Sequence, residues 1–381
     1  MRNSIYFNEE HEMLRDQLRR FIAEKVAPHG EAWEADGMTP RRILREMGDL
    51  GFLGIRYAGK YGGSDLDTLA TVVLAEELGR SSFGGFAITV LVHTDMASPH
   101  LANAGAPEQL ARYMPDVIKG NLITAVAVTE PGAGSDVAGL RTRAVRDGSH
   151  WVLNGVKMFI TNGVHGDLYF VAARTDPDAR GSQGITMFVV EKDTPGFSVG
   201  RPLEKMGWHS SDTAELVFDD CRVPEENILG GVNRGFYAIM QNFQNERVVL
   251  GAQAMGEAQK ALEITLAYVR ERKAFGATLW DRQTIRQRLS QRLAEVEAGR
   301  QLVYHAAWLD TQGVDCSKEV SMVKACCGEL VNRVMYDCQQ FHGGSGYMRG
   351  SAIERMVRDA RIQSVGGGAT EVMLEEVAKR V

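Results

Sequence analysis

Cysteine is scarce in this 381-residue chain, with five thiols at Cys221, Cys316, Cys326, Cys327 and Cys338 and no Cys-x-x-Cys pair. That number is too small for a disulfide scaffold, and the spacing suits neither a structural zinc site nor a redox pair, so no metal is expected. Long apolar runs are missing too. No stretch approaches the roughly 18 residues of a conventional spanning helix, so no membrane span is expected. The opening MRNSIYFNEEHEMLRDQLRRF has no apolar run after its early arginine and does not read as a secretory signal. The cytoplasm is the simplest location to expect. An excess of positive charge is also lacking: 49 acidic side chains against 43 basic ones leave a formal charge of −6. Such a balance favours solubility and gives no support to nucleic-acid binding.

What is present is ordinary globular composition, 44% hydrophobic and 24% charged. A chain of this length can bury a sizeable core unaided, and at about 150 residues per domain it suggests two or three folding units. Residues 1–120 read mostly as helix. Between Glu9 and Val26 the apolar residues Met13, Leu14, Leu18, Phe21, Ile22 and Val26 recur with helical period until Pro28. Further helices are expected after Pro40, over 67–79, over 85–105 and over 107–118, with the glycine-rich loop AGKYGGS at 58–64 between them. The pattern changes near Leu122. The short runs ITAVAV, WVLNGVKMFI, DLYFVAAR, ITMFVV and AELVF, separated by Gly, Asp and Pro turns, predict a largely antiparallel β domain over 121–230. Helical pattern returns over 231–381, with long candidates at 236–272, 283–312, 318–340 and 351–379 that suggest a four-helix bundle. The fold class expected is therefore α+β, in the order helices, β domain, helices.

Five ordered motifs then carry a resemblance. AVTEPGAGSDVAGLRT at 127–142 and NGVKMFITNG at 154–163 resemble the signature of the acyl-CoA dehydrogenase family. So do KMGWHSSDTAELVFDDCRVPEENILG at 205–230, RERKAFG at 270–276 and QQFHGGSGYMRGSAIERMVRDARI at 339–362. A lone PGAGSD would mean little; several matches in order and spacing are specific. The resemblance implies FAD bound between the β domain and the bundle, with its adenine end reaching a neighbouring subunit of a homotetramer. It also implies oxidation of an acyl-CoA thioester to the trans-2-enoyl-CoA, with electrons passed on to electron-transferring flavoprotein.

Residue by residue, the resemblance puts Val128, Thr129 and Ser135 at the flavin, with Phe159 and Thr161 in the strand facing its ring. Ser135 also falls on the substrate side. Alone, Phe159 reads as an ordinary core aromatic, and its position keeps the aromatic wall that tryptophan or phenylalanine provides in the family. For the pyrophosphate and adenine end the resemblance points to Arg272, Phe275, Gln340 and Gly344. A guanidinium suits phosphate and glycine permits close backbone approach. Glu371, the nearest rival acid for the role of catalytic base, is carried over to a place beyond the glycine loop, near the cofactor. Ala369 departs from the usual threonine and removes one expected flavin contact.

The catalytic base is the informative departure. Many family members carry glutamate after the RDAKI or RDARI segment, where this chain reads RDARIQSVGGGATEV with Gly367 at the glutamate position. Glycine cannot accept a proton. In the subgroup resembling isovaleryl-CoA and long-chain acyl-CoA dehydrogenases the base instead lies in a Glu-Arg pair, matched here by Glu246 and Arg247. Helical spacing agrees: Ile239, Phe243, Glu246 and Leu250 form one apolar stripe with a single acid in it. Such an acid is either salt-bridged or functional. With the acid gone from position 367, Glu246 is expected to remove the α-proton while the β-hydrogen leaves as hydride to flavin N5. The Gly367 N–H is expected to assist the thioester oxygen. Phe243, Arg247, Gly366 and Gly367 are the expected substrate contacts. Glycines where straight-chain enzymes carry tyrosine and glutamate leave room for a branched or longer acyl group, isovaleryl-CoA and a citronellyl-type CoA both being admissible. The same glycines could instead satisfy unusual backbone angles. A flavoprotein scaffold, an oxidase-like activity and nitroalkane chemistry are the alternatives, the last weakened because those relatives resemble a pattern with an aspartate base.

Overall fold

Asn8 starts the first helix with a reciprocal cap. Its side chain accepts the His11 N–H at 3.0 Å while its own N–H donates to the His11 ring at 3.2 Å. In this computed structural model, which describes residues 4–179 and 181–381, α1 (Glu9–Phe21) follows and runs into a π turn at Ile22–Val26. Next come α2 (Gly30–Asp36), too short and polar to stand out in the sequence, and α3 (Arg41–Asp49). Asp67 caps α4 (Thr68–Arg80) by accepting the Ala70 N–H at 3.0 Å. The apolar stretch expected as one helix over 85–105 is three pieces: α5 (Gly84–Leu91), a π segment over Val92–Ala97, and α6 (Ser98–Ala104). Thr94 sits within the π segment, its hydroxyl bonded back to the Val90 carbonyl at 3.0 Å and its own carbonyl accepting from Tyr57. α7 (Pro107–Ile118) closes this region, with proline at the first helical position.

The central sheet contains β1 (Thr124–Ala127), β2 (Arg143–Asp147), β3 (His150–Thr161), β4 (Leu168–Arg174), β5 (Ile185–Glu191), β6 (Phe197–Pro202), β7 (Thr213–Pro224) and β8 (Ile228–Leu229). Strand order is β6-β7-β3-β2-β4-β5-β8, with β1 added alongside β4. The sheet is mixed rather than wholly antiparallel, because β1 pairs with β4 in parallel, Thr124 opposite Leu168 to Ala127 opposite Val171. β2 and β6 were not legible because RAVRD and FSVGRP carry few apolar residues and are largely exposed. Alternation along β4 divides its side chains between two cores. Tyr169, Val171 and Ala173 pack with Trp151 and Phe188, while Leu168, Phe170 and Ala172 join the core shared with the helices. Burial on both faces explains why DLYFVAAR and ITMFVV read as nearly continuous apolar runs.

The C-terminal helices are α8 (Gly235–Glu271), α9 (Gln283–Thr311), α10 (Ser317–His342), α11 (Ala352–Ala360) and α12 (Thr370–Ala378). A small hairpin, β9 (Lys273–Ala274) with β10 (Ala277–Thr278), joins α8 to α9. The fourth helix expected over 351–379 is broken, because Gly367 and Gly368 adopt φ of 65° and 108°. A run of three glycines cannot hold a helix against its own backbone entropy, and this loop separates α11 from α12.

What seats α8 is a close crossing with α4. A Cβ on Gly79 would lie 2.3 Å from the Gln253 carbonyl oxygen, and one on Gly256 would lie 2.1 Å from that of Glu76. The two glycines face each other's helix reciprocally, so backbones approach where side chains would hold them apart. Gly79→Ala and Gly256→Ala should each destabilise the protein by about 1–3 kcal/mol, read as a lower denaturant midpoint with unchanged slope. Midpoints equal to wild type would show that the crossing has slack.

Candidate active site

At the end of β1 the chain enters the glycine-rich turn, and a buried ion pair fixes its shape. The Lys157 ammonium, fully buried on β3, donates to Glu130 at 2.7 Å and to the Val128 carbonyl at 3.1 Å. Glu130 in turn accepts the Arg141 and Thr142 N–H groups at 2.6 and 2.9 Å. Burial works against its ionisation, but Lys157 and these donors prevail and hold the carboxyl below its usual range. The Met158 N–H donates to the Thr129 carbonyl at 2.9 Å, which ties the turn to β3. Inside this frame Gly132 and Gly134 face open space, and Ser135 is exposed.

Beside the turn, β3 loses register with β7 between Lys157 and Ile160. Phe159 sits in that bulge at φ 61° and is 67% exposed. A phenylalanine in the left-handed region, displayed from a strand, is uncommon, and bulges re-aim side chains in this way. Thr161 follows, half-buried. Val128, Thr129, Phe159 and Thr161 are thus brought together. An open glycine turn with free backbone beside an outward aromatic fits a flat, anionic dinucleotide such as FAD. Among the described residues no cluster of His, Cys, Asp and Glu suits a metal ion.

The second grouping is on α8. Glu246 is 7% exposed in the stripe of Ile239, Phe243 and Leu250. Burial pushes its carboxyl up to about 8, against a hydrogen bond from Asn242 and the charge of Arg247 that pull it down. Asn242, one turn earlier and itself buried, donates to Glu246 at 3.0 Å and to the Met96 carbonyl in the π segment at 2.8 Å. The Arg247 guanidinium stands 5.7 Å over the half-buried Phe243 ring.

One turn beyond the acid, Leu250 abuts the glycine loop, where a Cβ on Gly367 would fall 2.4 Å from Leu250 Cδ1. Gly367 therefore needs glycine twice over, for its positive φ and for this contact. Gly366 does not: its φ is ordinary, and the nearest atom to an added Cβ is Ile362 Cγ1 at 3.4 Å. The loop is held by Lys324 of α10, a buried ammonium that donates to the Gln363 carbonyl at 2.5 Å and the Gly368 carbonyl at 3.0 Å. Burial brings that amine down to about 8. Glu371 lies exposed in the first turn of α12.

Arg272, Phe275, Gln340 and Gly344 form a third, exposed grouping. The Arg272 N–H bonds to the Tyr268 carbonyl at 2.9 Å, and Tyr268 stacks on His342 with ring centres 4.2 Å apart. That stack links the β9–β10 hairpin to the end of α10. Phe275 is 97% exposed at φ 53°. Among the described residues no hydrogen bond joins this grouping to the Thr129–Phe159 surface.

Asn242 and Lys324 were not singled out from the sequence. Each carried a signal: a carboxamide four residues before the acid in its apolar stripe, and a lysine between Val323 and Ala325 on the buried side of α10.

Three family models match the chain in order. They are the acyl-CoA dehydrogenase N-terminal domain over residues 8–121, the middle domain over 125–221 and the C-terminal domain over 233–381. The long-chain specific acyl-CoA dehydrogenase of Mus musculus mitochondria is 41% identical, covering 98% of this chain and 87% of its own. The mitochondrial isovaleryl-CoA dehydrogenase of Pongo abelii is 37% identical over 96% of this chain and 87% of its own. A crystal structure of an acyl-CoA dehydrogenase from Geobacillus kaustophilus superposes with a TM-score of 0.96 at 40% identity, covering 99% of both chains. The chain belongs to the acyl-CoA dehydrogenase family and is an FAD-dependent enzyme that forms an enoyl-CoA product.

A buried carboxyl raised to about 8 also leaves a mark on stability. The folded state binds this proton more tightly than the unfolded one. Stability from Glu246 is therefore whole below about pH 4.5 and is lost as pH rises through about 8. Glu246→Gln removes that dependence. Its melting temperature relative to wild type should be higher at pH 9 than at pH 5, and an equal difference at both would place the titration elsewhere.

Proposed function

We propose that this dehydrogenase acts on branched or medium-to-long acyl-CoA thioesters, with Glu246 as the base that removes the α-proton. The observation that carries the reading is a buried carboxyl on the apolar stripe of α8, one turn from the residue that touches Gly367. The other buried acid of that helix, Glu257, lies farther along and accepts instead from Gln253 and Gln363. An α C–H beside a thioester is a weak acid, so the base must be desolvated and close. Glu246 is desolvated, and its proton affinity lies near working pH. Bound FAD supplies the two-electron acceptor for the β-hydrogen. The chain's own part is to take the α-proton at the Glu246 carboxylate and to exclude water with Ile239, Phe243 and Leu250. On this reading the Gly367 N–H assists the thioester oxygen, held in place by the Lys324 grip on the loop.

Val128, Thr129, Ser135, Phe159 and Thr161 hold the flavin half, with Glu371 beside the loop. Arg272, Phe275, Gln340 and Gly344 hold the adenine half from a neighbouring subunit of a homotetramer. The nearly full exposure of Phe275 supports that division. Electron-transferring flavoprotein is the proposed acceptor. Similarity to both a long-chain and an isovaleryl enzyme agrees with the open loop without choosing between them. Gly366 carries the argument for acyl shape, because it is free to bear a side chain and bears none.

Anaerobic mixing with isovaleryl-, citronellyl-, butyryl- and palmitoyl-CoA should bleach the flavin fastest with a branched or long substrate. Glu246→Gln should keep its FAD and lose about 10²–10⁴-fold in the bleaching rate. A Glu246→Gln enzyme that bleaches at the wild-type rate would end the assignment of the base. Gly366→Tyr should fold normally and slow the bulkiest substrate about tenfold or more relative to butyryl-CoA. Equal slowing of the whole panel would remove Gly366 from the determination of acyl shape.

A further inference from the structure

Asn242 lies in the same stripe as the acid, is 3% exposed, and places a carboxamide where an apolar side chain would be expected. Its nitrogen faces three acceptors: Met96 O at 2.8 Å, Glu246 Oε1 at 3.0 Å and, more weakly, Asp95 O at 3.4 Å. Two of these are backbone carbonyls, which can only accept, so the amide can sit only one way round. The group presented to Glu246 is therefore an N–H donor. Two protons serve the two short contacts.

We infer that Asn242 is a positioning residue for Glu246: it fixes the carboxylate against the π segment Val92–Ala97 through one N–H to the acid and one to the Met96 carbonyl. The inference rests on Glu246 being the base. A donor to the carboxylate favours its charged form and opposes the desolvation that burial imposes. π turns recur at functional sites, and here the widened turn offers adjacent carbonyls, Asp95 and Met96, to the helix carrying the acid. Asn245, three residues on, donates to the Asp95 carbonyl at 2.7 Å and makes no hydrogen bond to Glu246. It shares the docking role without the contact to the acid, which makes it the natural control.

Other charges near the acid are Arg247 on the same helix and Asp95 on the π segment, the latter paired with Arg56 at 3.3 Å. Lys324 of α10 lies beside Gly367, and Glu376 of α12 acts on Arg247. None of them makes a hydrogen bond to Glu246.

The test is an infrared titration of the Glu246 carboxyl C=O stretch in the flavin-loaded enzyme, assigned by its absence in Glu246→Gln. In Asn242→Leu the titration should move up by about one unit or more, the value of a lost hydrogen bond to a charged group. The pH at which flavin reduction by palmitoyl-CoA reaches half its maximal rate should move with it. Asn245→Leu should leave both in place. Unmoved titration in Asn242→Leu overturns the inference, as does an equal shift in Asn245→Leu. Should Asn242→Leu lose its flavin, the isosteric Asn242→Asp carries the same test. Two carboxyls would then share the site, and the last proton should leave well above the wild-type titration; an unchanged value overturns the inference. A Glu246→Gln enzyme that still reduces flavin normally removes the base itself, a result the infrared shift cannot mimic.

Discussion

On the proposed reading, the desolvated carboxyl of Glu246 governs the chemistry available to this protein. Buried on the same helix face as Ile239, Phe243 and Leu250, Glu246 has an affinity for protons that water would deny it. In bulk solvent a carboxylate is too weak a base for a thioester α-proton. Within the stripe it lies near working pH, where proton transfer is most effective. The cost is stability at alkaline pH, and the polar atoms allowed near the acid are few. Asn242 contributes one N–H at 3.0 Å.

The rest of the molecule keeps that environment dry and in register. α8 is pressed against α4 at the reciprocal glycines Gly79 and Gly256, so the acid is carried on a helix with little freedom to slide. Leu250 touches the loop at Gly367, and Lys324 grips both ends of the loop through carbonyl oxygens. The two arms of the site therefore meet through packing and not through a shared ion pair. On the other side, the Lys157–Glu130 pair holds the glycine turn open, and the β3 bulge turns Phe159 outward. In both places a buried lysine braces a glycine-rich loop by bonding to main-chain carbonyls.

Much of this was legible in the sequence. Periodicity marks the three long helices α8, α9 and α10 nearly to their ends, though not the break between α11 and α12, and the ordered motifs alone carry the family resemblance. The acid at 246 and the glycine at 367 stood out because each broke a pattern, an acid in an apolar stripe and a glycine where a carboxylate is usual. Other features depend on partners distant in the chain. The π segment at Val92–Ala97 involves the Tyr57 hydroxyl and the Thr94 back-bond, and residues 85–105 alone read as continuous helix. Parallel pairing of β1 with β4 is a matter of topology that alternation does not encode. The burial of Lys324 depends on loop carbonyls about forty residues away. Nor could the sequence separate two uses of glycine at 366 and 367. Only the second has the positive φ and the leucine contact that demand it, which leaves the first as the adjustable position.

The most direct measurement is the pH dependence of anaerobic flavin reduction by palmitoyl-CoA, with protium or deuterium at the α-carbon. If Glu246 takes the α-proton, the rate rises with pH through a single step near 8, and α-deuteration slows it across the whole profile. A rate independent of pH between 6 and 10, roughly the span over which such a step would be complete, and indifferent to α-deuterium, would contradict the account.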